Sequence, residues 1–252
     1  MIGAIIGDIV GSRFEFNNYR WTDFELFHPD CSFTDDSICT CAVADWALHR
    51  GSFAPVLQSW CRSYPNPMGG YGARFAGWII NPVPYYSFGN GAAMRVSPVP
   101  YLFYPSTGLS DAVNLVTSVS HDHPEGLRGA QAIAWAIWLA RRGNSKAEIK
   151  ISMEEFGYTL DSWCSDIRRV NAFNETCQVT VPQALVCFME STDFESCIRL
   201  AVSIGGDSDT IAAIAGSVAE AYYGVPDWMR DEAMGFLPAK MRNLIYKFYE
   251  KL

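Results

Sequence analysis

Histidine is scarce in this chain, four in 252 residues, and the eight cysteines form neither a C-x-x-C pair nor a regular spacing. That argues against a zinc centre, which clusters Cys and His, and against a disulfide framework. Cys31, Cys39, Cys41, Cys61, Cys164, Cys177, Cys187 and Cys197 fall mostly in apolar stretches, where a free thiol behaves as a small hydrophobe. A reduced, cytoplasmic protein is expected. Basic residues are in deficit, 19 Lys and Arg against 27 Asp and Glu for a net charge of −8. General nucleic-acid binding, which needs a basic face, is thereby disfavoured. No apolar run is long enough for a membrane span: the first, Met1 to Val10, is broken by Asp8 and lacks the basic start of a signal peptide, so it reads as a buried helix. Strand signals are few and short. No repeat, low-complexity segment or linker interrupts the chain, so one domain over residues 1–252 and a monomer are expected.

About half the residues are apolar, enough for a large core. Apolar periodicity and terminal signals predict helices over Ile38 to Leu48, Asp111 to Ser118, Pro124 to Arg142, Met153 to Ile167, Pro182 to Met189, Phe194 to Ser203 and Ile211 to Tyr223. In the first helix Ile2, Ile5, Ile6 and Ile9 mark one stripe, while Gly3, Gly7 and Gly11 recur on another face, where a neighbouring backbone can come close. Asp8 inside that helix needs a partner. If the helix persists to Glu15, both acids project to one side; alternatively, Asp8 bonds a helix terminus and Glu15 is a surface acid. The stretch from Tyr64 to Pro105, dense in Gly, Pro and aromatics, reads as ordered functional loops.

Two acidic clusters carry the chemistry. Thr34-Asp35-Asp36 precedes one predicted helix, and Asp207-Ser208-Asp209-Thr210, introduced by Gly205-Gly206, precedes another. Capping explains part of this, since Thr and Asp favour the N-cap and acids suit the first turn. One side-chain oxygen suffices for each cap, however, and the surplus carboxylates are costly to bury unless a cation holds them. Carboxylates and hydroxyls are hard ligands that suit Mg²⁺, Mn²⁺ or Ca²⁺, with a magnesium-type centre the leading reading, and this many donors fit two Mg²⁺ ions better than one. His121 and His123 lack the companions a zinc site needs and read as capping or core residues, Gly89-Asn90-Gly91 reads as a tight turn, and Arg95 as the partner of one of the nearby acids.

Five segments in order carry a family resemblance: Gly7-Asp8-Ile9-Val10-Gly11-Ser12 with Glu15, Phe33-Thr34-Asp35-Asp36-Ser37, Gly89-Asn90-Gly91-Ala92-Ala93-Met94-Arg95, His121-Asp122-His123-Pro124-Glu125-Gly126, and Gly205-Gly206-Asp207-Ser208-Asp209-Thr210. The chain resembles ADP-ribosylglycohydrolases of the dinitrogenase-reductase-activating type nearly end to end. The resemblance implies an all-α orthogonal bundle around a two-magnesium centre in a central cleft, with the terminal ribose of ADP-ribose at the metals. It puts Thr34, Asp35, Asp36, Asp207, Asp209 and Thr210 on the ligand positions, with Ser208 standing where many relatives have Thr. Glu15 matches a glutamate on a mobile loop. Ser87, Phe88, Gly89, Asn90, Gly91 and His121 become substrate contacts, Phe88 against adenine, while His123 stays a structural cap.

Glycoside cleavage commonly employs two carboxyl groups, and Glu15, Asp35 and Asp36 are the candidates for the base that activates water. The expected activity is metal-dependent release of ADP-ribose from a modified acceptor. The alternatives are a family member that only binds ADP-ribose and a two-metal hydrolase of another N-glycoside or a phosphoester. The acceptor is left open; Asn17 to Asp30 and Tyr64 to Tyr86 would form the rim, with Trp21, Phe24, Phe27, Trp78, Tyr85 and Tyr86 as platforms or as core.

Overall fold

The computed structural model describes residues 1–252, the side chain of Thr107 excepted. In chain order the helices are α1 (Ile2–Gly11), α2 (Asp35–His49), α3 (Phe53–Ser63), α4 (Ala73–Ile80), α5 (Gly91–Met94), α6 (Val99–Leu102), α7 (Leu109–Ser118) and α8 (Pro124–Arg141). They continue with α9 (Lys146–Glu155), α10 (Cys164–Val170), α11 (Cys177–Glu190), α12 (Phe194–Ser203), α13 (Ser208–Tyr223), α14 (Asp227–Gly235) and α15 (Ala239–Glu250). Among the described residues there is no sheet, and the one isolated bridge joins Gly89 to Thr176. The fold is all-α, as expected.

Its axis is the pair α1 and α13. All ten residues of α1 are buried, as are Ser208 to Glu220 of α13. The glycine face of α1 makes the contact: a Cβ at Gly3 would stand 2.3 Å from the Gly216 carbonyl oxygen, one at Gly7 2.1 Å from that of Ala212, and one at Gly11 2.5 Å from the Asp209 Cα. No real Cβ fits at such distances, so the two backbones touch because the side chains are missing. Around them α2, α8, α11 and α12 complete one continuous apolar cluster.

Two predicted helices depart most from the observed bounds. The segment Met153 to Ile167 is divided: α9 starts earlier, at a capping box in which Ser145 and Glu148 bond each other's backbone N–H, and ends before Gly157, whose φ of +83° stops the helix. A separate α10 follows. Pro182 does not start α11; it lies inside it, at the cost of one backbone hydrogen bond, because burial of Cys177, Val181, Leu185 and Phe188 on one face outweighs that loss. The first helix stops at Gly11, and a 3₁₀ turn over Ser12–Phe14 carries the chain to Glu15.

The α1–α13 contact yields a prediction with an internal control. Gly7→Ala is expected to cost ~3 kcal/mol by forcing two backbones apart, whereas Gly77→Ala on the exposed face of α4, where an added Cβ meets nothing within 4 Å, stabilises by up to about 1 kcal/mol. Denaturant unfolding midpoints of the two variants check both signs.

Candidate metal centre and active-site cleft

The two acidic clusters lie at the N-termini of α2 and α13, and the α1–α13 contact draws them together. Thr34 caps α2, its Oγ1 accepting the Asp36 N–H at 3.2 Å. Asp8 reinforces that terminus from α1: its carboxylate accepts the backbone N–H of Thr34 at 2.9 Å and of Ser37 at 3.1 Å, together with the hydroxyls of Thr34 and Ser37. The acid inside the first helix therefore does bond a helix terminus. No side chain caps α13. Capping thus consumes Thr34 and Asp8 and leaves Asp35, Asp36, Asp207 and Asp209 without that explanation.

Carboxylate oxygens of Asp8, Asp36 and Asp209 approach within 4.8 Å of one another, and those of Glu15, Asp207 and Asp209 form a second trio sharing Asp209. Thr210 links the clusters by donating to Asp36 Oδ2 at 3.1 Å, and Asn90 Nδ2 donates to Asp207 Oδ2 at 2.6 Å. Among the described residues no Lys or Arg pairs with any of these acids. Burial, and then the mutual repulsion of the group, pushes the carboxyls of Asp35, Asp36 and Asp209 well above the ordinary range. Burial raises Asp8 to about 6 despite its hydrogen bonds; burial followed by the charges of Asp207, Asp8 and Glu175 raises Glu15 to about 8. Asp36 Oδ1 and Asp209 Oδ1 are buried with no hydrogen-bond partner. Clustered carboxyl oxygens, some of them orphaned and with no protein cation beside them, are the donor set a hard divalent cation takes.

The cluster floors a cleft of about 420 Å³. Asp35, Asp36, Asp207, Asp209, Thr210 and Glu15 line it, as do Ser87, Gly89, Asn90, Gly91 and His121 from the other wall. Thr34 lies behind Asp36, bonded to Asp8. Asp35 faces the cleft outside both trios. Phe88 is not part of the lining; its ring packs edge-on to His123, 5.2 Å between centroids, and His123 caps α8 through the Glu125 N–H. The wall holding residues 88–90 is pinned to the start of α11, with the Asn90 N–H bonded to the Glu175 carbonyl at 2.7 Å and the Cys177 N–H to that of Phe88 at 3.0 Å. Of the six rim aromatics only Tyr85 lines the cleft; Trp78 is buried at 2% exposure.

Arg74, Glu175 and Phe16 also line the cleft and carry no local signal for it, because each lies in a segment whose course depends on distant contacts. Asp8 carried a signal, an acid in an apolar helix, and its place in a carboxylate trio depended on where the N-termini of α2 and α13 lie. Arg95 corrects an expectation: it pairs with no acid, is fully buried, and donates to the Thr117 carbonyl and Ser120 Oγ. As the C-cap of α5, it lines the cleft but spends its terminal guanidinium nitrogen on the end of α7.

The raised carboxyls set a pH dependence. Glu15 and Asp8 hold protons more tightly folded than unfolded, so stability without divalent cation is complete below their ordinary values near pH 4 and is lost as pH rises towards 8. In chelator, Tm should fall between pH 5 and 8, and Asp209→Asn should recover several degrees at pH 8, about 2–4 °C per kcal/mol of repulsion removed, with little change at pH 5. Thermal melts of both proteins across that range check it.

Comparison with known proteins agrees with this geometry. The ADP-ribosylglycohydrolase family description matches residues 1–251. Human ADP-ribosylhydrolase ARH3 is 25% identical over 320 aligned positions, covering 94% of this chain and 88% of that protein. The ADP-ribosylarginine hydrolase Tri1 of Pseudomonas putida is 26% identical, covering 92% of this chain and 73% of its own. A solved ADP-ribosylglycohydrolase-related protein complex shares the fold, with a TM-score of 0.70 at 24% identity over 93% of this chain and 94% of the other. With its acids gathered at two helix ends and the family match running through nearly every residue, the chain belongs to the ADP-ribosylglycohydrolase family.

Proposed function

We propose that this protein is a divalent-metal-dependent hydrolase that cleaves the glycosidic bond between ADP-ribose and a modified acceptor. The observation that carries the reading is the set of buried carboxylates from α1, α2 and α13, including the unpartnered oxygens of Asp36 and Asp209, at the floor of a cleft. Asp36, Asp207, Asp209 and Thr210 would hold the cations, with Asp35 and Thr34 beside them; two Mg²⁺ ions, or Mn²⁺, suit this oxygen set. Bound there, the cations supply positive charge that polarises hydroxyl and water oxygens.

The chain's own residues supply the remaining roles. Glu15 lies at the junction of floor and mouth, its carboxylate against the Gly69 backbone, in reach of Asp207 and Asp209. From there it can take the proton of a water attacking the anomeric carbon, and Asp35 is the alternative acceptor. Gly70, Tyr71 and Gly72 lead into the N-terminus of α4, and Arg74 lies in its first turn, so this wall offers backbone N–H groups and a cation to the diphosphate. Joined to it through Tyr85, the segment Ser87, Gly89, Asn90, Gly91 and His121 presents polar and unobstructed backbone surface to the ligand. The cytoplasm is the compartment we propose, since all eight cysteines are free and buried.

Across a panel of arginine-, serine- and nucleic-acid-linked substrates, release of ADP-ribose from at least one linkage is expected with Mg²⁺ or Mn²⁺ and not in EDTA. Glu15→Gln should lower kcat by roughly 10²–10⁴, the loss of a general base, and Asp209→Asn at least as much, with ADP-ribose binding measured in parallel. Tight ADP-ribose binding without cleavage of any linkage under any cation would identify a non-catalytic binder and overturn the proposal.

A further inference from the structure

At the inner end of the cleft, a buried chain of polar groups runs from Arg95 through Ser120 to His121. Arg95, fully buried, donates from a terminal guanidinium nitrogen to Ser120 Oγ at 2.9 Å and to the Thr117 carbonyl at 3.1 Å. Ser120, also fully buried, has its Oγ 2.9 Å from His121 Nδ1. Among the described residues these are the only two partners of that hydroxyl. An arginine can only donate, so the serine oxygen accepts from Arg95, and its own proton has one place to go, His121 Nδ1. A hydroxyl sealed from water does not leave its proton unbonded when an acceptor lies in reach.

We infer that Arg95 and Ser120 are positioning residues that lock His121 as the neutral tautomer protonated at Nε2, making it a fixed N–H donor to a substrate oxygen. Nδ1, held as an acceptor, commits the ring's one proton to Nε2. That nitrogen has no hydrogen-bond partner among the described residues, and its lane is kept clear by glycines. A Cβ at Gly91 would stand 3.0 Å from Nε2, and one at Gly89 3.4 Å. Burial, then the nearby charges of Arg95 and Arg74, push the imidazole well below its ordinary value and disfavour the doubly protonated form. The assignment removes His121 from the candidate bases, since the nitrogen open to the cleft carries a proton and has no free lone pair. A fixed donor there suits a phosphate or ribose oxygen, a use that rests on the proposed function; the tautomer itself does not.

The test is nitrogen-15 NMR of the imidazoles at neutral pH. With four histidines in the chain, His121→Gln and His123→Gln identify the two signals of interest. Wild-type His121 should show Nε2 protonated and Nδ1 bare. Ser120→Ala should give a mixture of tautomers and weaken ADP-ribose binding about fivefold, the loss of one well-oriented hydrogen bond. A wild-type His121 protonated at Nδ1, or at both nitrogens, overturns the inference without any variant. An unchanged tautomer and unchanged affinity in Ser120→Ala overturns the role of Ser120. Wild-type protein that shows the Nε2–H form yet binds no ADP-ribose supports the lock and counts against the substrate reading alone.

Discussion

The contact between the backbones of α1 and α13 governs the rest of this molecule. Three glycines spaced by one helical turn let Gly216, Ala212 and Asp209 approach to distances that any side chain would prevent. The gain is close packing of two wholly buried helices over their length. The consequence is chemical: the end of that contact, Gly11 against Asp209, fixes the first turn of α13 beside the 3₁₀ turn that leads to Glu15. The acids of the cleft floor are thus positioned at the ends of closely packed, buried helices, the kind of support that precise placement of ligands requires.

That placement works against the stability of the folded chain. Asp8, Asp36, Asp207 and Asp209 are each at most 5% exposed, and none is neutralised by a basic side chain. Protein interiors tolerate such groups only when they are protonated, hydrogen-bonded or bound to a cation. Asp8 takes the second course, through the N-terminus of α2, and Asp207 does so in part, through Asn90. The unpartnered oxygens of Asp36 and Asp209 have neither. The repulsion is therefore concentrated where a cation would relieve it, in the pattern of a fold that concedes stability at its functional site.

The opposite wall is organised by hydrogen bonds rather than charge repulsion. Residues 88–90 are pinned to the start of α11, and His121 is backed by Ser120 and Arg95. Glycine recurs on both walls for different reasons. Gly69 and Gly70 adopt positive φ in the loop beneath Glu15, whereas Gly89 and Gly91 leave space in front of His121 Nε2. The cleft accordingly has a floor of carboxyl groups, one wall offering a helix N-terminus with Arg74, and one wall of fixed polar groups and bare backbone.

By itself the sequence determined the helical class, the glycine face of α1, the two acid-led helix starts and the family, because each is written in local spacing: period 3.6, N-cap chemistry, and carboxylates crowded within a few residues. The structure alone decided which of those acids meet. Asp8 and Asp209 are far apart in the chain, and Asp35, adjacent to Asp36, is left outside both trios because consecutive residues on a helix point about 100° apart. It also decided that Arg95 faces Ser120 rather than a carboxylate, that Pro182 is absorbed into a helix, and that Phe88 turns to His123 while Phe16 reaches the cleft. In each case the outcome depends on contacts between segments remote in sequence, and burial of the apolar faces around them selects one arrangement that local propensity leaves undetermined.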